Sequence, residues 1–349
     1  MNFIDIENIQ KNFLSPQITA YAKEVKHKTK TSSVLKRKIV RLKTDKKVFY
    51  FRYTLGYDPI HTVLYEKFIH INHNNKPLNK VNHTYAFLKG LNIKCLPVPN
   101  GLYDLNSSNY NGLAPYLFSL YSDVINVYQP GVSSWKFKGV YNEKTEKKQW
   151  QAMLKLTKNK NITPITHSLA TIAGLKNLTI KNKRILPEII ISPMVSMRDA
   201  LTKPSGSHLT LWGLPSFYLC SYSRWLPILG PYPLASEKHH LPYTVERLYE
   251  KKNSAWQGSN LYYLPSSKYL LKQKGLEIAK KIKNKIYAKP LGIVTKFDRI
   301  FSPKGQEKIL NEINAKIYHH ETGHRWGTEP QKLIPLLETI TNFTKQHIA

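Results

Sequence analysis

The sequence predicts an α+β protein, with helices and short strands mixed around one core and basic extensions attached, and three observations carry that prediction. Hydrophobic residues make up 41% of the chain and aromatic residues 11%, enough for a packed core and too much for a fully disordered chain. Stretches with helical apolar spacing are interspersed with short β-branched and aromatic runs. Lys and Arg number 53 against 22 Asp and Glu, a net charge of +31 over 349 residues, and the excess is densest near the amino terminus.

Taken in order, Asn2–Phe13 has apolar residues at roughly helical spacing before Pro16, which reads as a short docking helix. Lys23 to Arg52 follows as a basic arm in which only Glu24 and Asp45 oppose the positive charges, while Val34, Leu35, Ile39, Val40 and Leu42 are interleaved with them. Val48–Tyr53 is a strand candidate, Gly56–Pro59 a turn, and Ile60–Ile71 a second strand. Residues 1–56 therefore read as a basic arm and 57–349 as an α+β body, with a sub-boundary in the Asn-, Ser- and Gly-rich stretch 100–112.

Glu143–Lys158 predicts a helix, because Glu143 and Glu146 open it, Lys155 and Lys158 close it, and Trp150, Met153 and Leu154 share a side. Thr166–Leu178 reads as a weaker helix and Arg184–Ser192 as a buried strand rich in isoleucine. The apolar stretch Leu209–Ala235 is broken by Pro215, Pro227, Pro231 and Pro233 and carries Arg224, so it is expected to be irregular core and not a membrane span. Tyr243–Lys252, Leu276–Lys289, Lys304–Tyr318 and Gln331–His347 complete the set as further helices.

The charge points to a polyanionic partner, since like charges within a Debye length of about 8 Å weaken a compact state unless something neutralises them. Excess on several surfaces, and not on one stripe, fits folded RNA better than a DNA groove. The residues expected to meet phosphate are Lys36, Arg37, Lys38, Arg41, Lys43, Lys46, Lys47 and Arg52 in the arm, Lys136 and Lys138 beside Trp135 and Phe137, and Lys280, Lys281, Lys283 and Lys285.

Catalytic motifs are sparse by pattern. His320-Glu-Thr-Gly-His324 matches the HExxH zinc pattern, with Glu338 as a distant third ligand, although Gly323 weakens the helix that the pattern needs and Arg325 sets a positive charge beside the metal. No G-x-S-x-G string occurs, no GKS or GKT follows Pro204–Ser207, and the few carboxylates are scattered. A nuclease or intron-encoded endonuclease would depend on a carboxylate such as Asp123, Asp199 or Asp298. Cys95 and Cys220 form neither a disulfide framework nor a zinc knuckle, and the amino terminus lacks the pattern of a secretory signal or transit peptide.

Val98-Pro-Asn-Gly-Leu-Tyr-Asp-Leu-Asn106 resembles the opening strand of the large-subunit ribosomal protein four family, and His167-Ser-Leu-Ala-Thr-Ile-Ala173 through Arg184–Ser192 is similar to its helix-then-strand segment. The family's long Gly- and Arg-rich loop is missing between Gln129 and Thr166, so no functional residue is carried over. The expectation is a non-catalytic ribosomal protein of a mitochondrial ribosome in the matrix, with the cytoplasm as the alternative. Its partners would be ribosomal RNA and neighbouring ribosomal proteins, without a cofactor, a membrane span or homo-oligomerisation.

Overall fold

The computed structural model describes residues 19–24, 34–43, 47–78, 82–89, 114–128, 142–196, 269–298, 301–324, 326 and 330–348. They build one sheet of ten strands, β1 (Thr19–Glu24), β2 (Val34–Lys43), β3 (Val48–Asp58), β4 (Val63–Ile71), β5 (His83–Lys89), β6 (Asp123–Tyr128), β7 (Asn161–Ser168), β8 (Ile189–Pro193), β9 (Leu291–Thr295) and β10 (Lys316–His320). The helices are α1 (Ala114–Ser119), α2 (Glu143–Leu156), α3 (Ala170–Asn177), α4 (Gly275–Ile282), α5 (Pro303–Glu312) and α6 (Pro330–Lys345).

Strand order is β1-β2-β3-β4-β6-β5-β7-β8-β9-β10. The first four strands and the β4–β6 pair are antiparallel; from β6 to β10 every pairing is parallel. Parallel strands need helical crossovers, so both faces of that half are covered and its strands are buried on both sides. The sequence obeys this rule in Ile189–Pro193, every residue of which is buried. Along β3 the side chains alternate instead, with Phe49, Phe51 and Tyr53 turned into the core between more exposed neighbours.

Successive residues of the central strands feed different cores. Phe87, Ile189, Ile191 and Ile293 pack with α1, α6 and Trp326 on one face. On the other face, Leu88 packs with Trp150 and Met153 of α2, while Ile190 and Val294 pack with α3, α4 and α5. Each such apolar side chain taken fully from water contributes about 1.5–3 kcal/mol, so a sheet sandwiched between two helical layers is the arrangement that uses both faces.

The reading of mixed helices and strands around a core is correct at that level, but a mostly parallel sheet with helices interleaved in the chain replaces the expected α+β arrangement. The segment read as a basic extension supplies β2, hydrogen-bonded along its length to β3. Helix α2 lies where its charges predict, closed by a capping box in which Asn142 Oδ1 accepts from Thr145 N at 3.1 Å and Thr145 Oγ1 accepts from Asn142 N at 2.9 Å. The stretch Thr166–Leu178, expected as helix throughout, is strand up to Ser168 and helix only from Ala170. Lys304–Tyr318 likewise divides into α5 and β10.

Leu209–Ala235, Tyr243–Lys252, the docking helix and the stretch 100–112 lie outside the described residues. Among the described residues no helix is long and apolar enough to cross a membrane.

Candidate active site

Parallel strands present their carboxyl ends on one edge of the sheet, and ligands of open α/β sheets bind at that edge. Three side chains meet there. Ser168 ends β7, Asp298 follows β9, and His324 follows β10.

Ser168 has φ 57°, in the left-handed region that serine seldom occupies. Such a residue costs of order 1–3 kcal/mol and persists only where its surroundings hold it. Here Thr171 Oγ1 donates to the Ser168 carbonyl at 2.6 Å and in turn accepts from Met194 N at 2.9 Å, tying the turn to the end of β8. The chain therefore passes from strand to helix in a single sharp bend with the serine at its apex.

His324 is 2% exposed and bridges the other two residues. Its Nε2 lies 2.9 Å from Ser168 Oγ and its Nδ1 lies 2.8 Å from Asp298 Oδ2. An ionised carboxylate can only accept, so Nδ1 carries the proton, and the neutral ring then offers Nε2 as acceptor to the serine hydroxyl. Asp298 is held in turn by Phe301 N, which donates to Oδ1 at 3.0 Å, and by Thr295 Oγ1, which donates to Oδ2 at 3.1 Å. The imidazole is clamped by rings: His167 lies 4.7 Å away between centroids and Phe301 lies 5.4 Å away edge to face, while Trp326 backs His167 at 6.3 Å.

Beneath the serine turn sits a second acid. Glu188 is wholly buried, receives the Thr166 hydroxyl at 2.5 Å on Oε1, and its Oε2 has no hydrogen-bond partner among the described residues. Burial pushes its carboxyl up to about 8, opposed in part by the Thr166 bond, so Glu188 is an uncharged acid at neutral pH.

The zinc reading of residues 320–324 is overturned by backbone geometry. His320 ends β10 and His324 lies in the following loop, so the two do not share a helical face, and no group of three His, Cys, Asp or Glu among the described residues could hold a metal ion. Glu338 lies on α6. Asp298, named for a metal-dependent nuclease, is engaged with His324 instead, and Asp123 accepts from Asn159 Nδ2 at the start of β6. Asp199 lies outside the described residues.

The basic residues do not converge on this site. Lys36, Arg37, Lys38, Arg41 and Lys43 lie on β2, Lys47 just before β3 and Arg52 within β3, in the antiparallel half of the sheet. Lys280 and Lys281 end α4, and Lys283 and Lys285 form the turn after it, all four exposed on the other half. Lys46, Lys136 and Lys138 lie outside the described residues.

No protein-family model matches the sequence, and no curated protein matches it. Among solved structures the chain is similar to that of DcsB in complex with its substrate analogue, with a TM-score of 0.52 and 10% identity over 89% of this chain and 99% of that one. It is also similar to a bromoperoxidase from Bacillus anthracis (TM-score 0.49, 14% identity, 84% and 96% covered). A third is an alpha/beta fold family hydrolase from Bacillus anthracis str. Sterne (TM-score 0.46, 13% identity, 85% and 99% covered). These likenesses concern the fold. The expectation of a non-catalytic ribosomal protein bound to ribosomal RNA and ribosomal neighbours is corrected: the chain shares the fold of the DcsB structure, and Ser168, His324 and Asp298 are hydrogen-bonded in series at the sheet edge where ligands of open α/β sheets bind.

Proposed function

We propose that the protein is a serine hydrolase of the α/β-hydrolase class, cleaving a carboxylic ester or related acyl compound through a covalent acyl-enzyme. The observation that carries this reading is the unbroken relay from Ser168 Oγ through both nitrogens of His324 to Asp298, with both contacts under 3 Å. The order Ser168, Asp298, His324 along the chain and the serine's strand-to-helix turn agree with the nucleophile elbow of that class.

In the reaction, Ser168 Oγ attacks the acyl carbonyl carbon while His324 Nε2 takes the hydroxyl proton, and Asp298 stabilises the imidazolium that forms. The oxygen of the tetrahedral adduct receives the Leu169 N–H, the amide that follows the nucleophile at the head of α3. His324 then hands its proton to the departing alkoxide. A water attacks the acyl-serine, giving its proton to the same nitrogen; collapse of the second adduct releases the acid, and the departing Ser168 Oγ takes that proton back from His324 Nε2.

The test is covalent capture. A fluorophosphonate probe is expected to label the full chain at Ser168, as mapped by peptide mass spectrometry, and p-nitrophenyl acyl esters are expected to be hydrolysed. Labelling that persists unchanged in Ser168→Ala, or a chain inert toward both reagents, overturns the reading.

A further inference from the structure

We propose that Gln306 is a positioning residue of the catalytic relay: it orients Asp298 and, through it, sets the basicity of His324. The proposal rests on the serine-hydrolase reading above for its consequence in turnover, though not for its effect on the histidine.

Gln306 stands in the first turn of α5 and is 0% exposed. Its amide orientation is fixed by its neighbours. Oε1 lies 3.1 Å from Thr295 N, which can only donate, so the other end must be Nε2. Nε2 then donates to two groups that can only accept, Asp298 Oδ2 at 2.9 Å and the Phe301 carbonyl at 2.9 Å. One side chain thus joins the last residue of β9, the catalytic acid and the loop after it.

The contact falls on the oxygen that matters. Asp298 Oδ2 receives His324 Nδ1 at 2.8 Å, Gln306 Nε2 at 2.9 Å and Thr295 Oγ1 at 3.1 Å. The threonine hydroxyl has one proton, given to the carboxylate, so it accepts from Ser192 Oγ at 2.6 Å. Two neutral donors therefore share with the imidazole a carboxylate oxygen that none of them could leave without stranding a buried polar group. An N–H dipole aimed at that oxygen opposes a positive charge on the ring beyond it. Removing the dipole favours the protonated imidazole and makes His324 a base that is used up at higher pH. Ser168, Asp298 and His167 stand against the ring, and Phe301 meets it edge to face.

The experiment uses the full chain labelled with ¹⁵N-histidine, the His324 signal being assigned by its loss in His324→Asn. Gln306→Leu removes donor and acceptor; Gln306→Glu keeps the shape and the acceptor for Thr295 N but sets a carboxyl against Asp298. The His324 titration midpoint is expected to rise by about one pH unit in Gln306→Leu, as for the loss of one charge-assisted hydrogen bond, and further in Gln306→Glu. The acid limb of the kcat/KM profile should follow, with kcat lowered about 10- to 100-fold, well short of the roughly 10⁴-fold cost of neutralising a triad acid. If Gln306→Leu does not fold, Gln306→Glu carries the measurement. A midpoint unmoved in the folded variants overturns the proposal, because a purely structural glutamine would lower stability without moving it. A shifted midpoint in a chain whose Ser168 takes no fluorophosphonate would uphold Gln306 and sink the hydrolase reading instead.

Discussion

Gly174 of α3 lies directly against the carboxyl group of Glu188, so closely that a β-carbon on the glycine would overlap Oε1 and stand 2.7 Å from Thr166 Oγ1. The helix behind the serine can approach β7 only because this residue has no side chain. Gly174→Ala is expected to destabilise the fold by about 1–3 kcal/mol, as overpacking does, and to lower activity by displacing the turn that holds Ser168. Urea denaturation checks the first effect. Adding Glu188→Ala to Gly174→Ala should recover part of the loss, and a double variant no better than the single one would contradict the steric account.

Glu188 makes stability depend on pH. The unfolded chain releases this proton near the ordinary value of 4.5, whereas the folded chain holds it up to about 8. The contribution is therefore intact below 4.5 and is lost as pH rises through 8, amounting to about 3 kcal/mol by pH 7. Glu188→Gln should remove this slope, leaving the variant more stable than the parent at pH 8 and nearly equal to it at pH 5. Parallel denaturation curves for the two proteins at both pH values would refute the assignment.

The three residues of the relay should fail as a unit. Ser168→Ala, His324→Ala and Asp298→Asn are each expected to lower kcat by about 10⁴-fold or more, and a double Ser168→Ala/His324→Ala variant should be no worse than the worse single one. Multiplicative losses in ester hydrolysis would show that the side chains do not act together.

Arg184 closes the carboxyl end of α2. Its guanidinium donates to the carbonyl of Leu154 at 3.0 Å, in the last turn that the helix end leaves short of partners, and to those of Thr157 and, at 2.9 Å, Asn159 just beyond it. Arg184→Lys cannot reproduce a planar fork onto three carbonyls and is expected to cost nearly as much as Arg184→Ala, about 2 kcal/mol by thermal or urea unfolding. A lysine variant as stable as the parent would show that charge alone suffices.

How much of this could be read in the sequence depended on whether each feature announces itself locally. Helix α2 does, through Asn142, Thr145 and the segregation of Glu143 from Lys155, and β8 does through its run of isoleucines. Strand β7 and helix α3 ran together as one helix because nothing between Thr166 and Ala170 breaks the pattern; the break is made by the positive φ of Ser168, which tertiary packing imposes. The serine escaped the G-x-S-x-G pattern because Thr166 and Ala170 stand where the pattern has glycines, and Gly174 supplies the close approach one turn later. The local patterns around His324 and Asp298 point to metal chemistries instead. The chain order of a serine at a strand end followed by Asp and His beyond two later strands is the signal that would have joined them. The charge misled for a separate reason. Asp58, Glu146, Glu188 and Asp298 are 2–4% exposed, so acids are drawn into internal contacts and lysines remain to dominate the surface. Net charge of that origin bears on solubility and association and says nothing of the reaction.

A ribosome making this chain finishes the serine bend long before the residues that give it a base. His324 is 156 positions further along, and at about 5–20 residues per second it emerges roughly 8–30 s later. On the serine-hydrolase reading, the hydroxyl of the growing chain lacks its base until β9 and β10 have docked beside β8, and reactivity is expected to arrive with those strands. On that reading the serine becomes reactive only once most of the core is assembled, so labelling by a serine-directed probe would time the docking of β9 and β10.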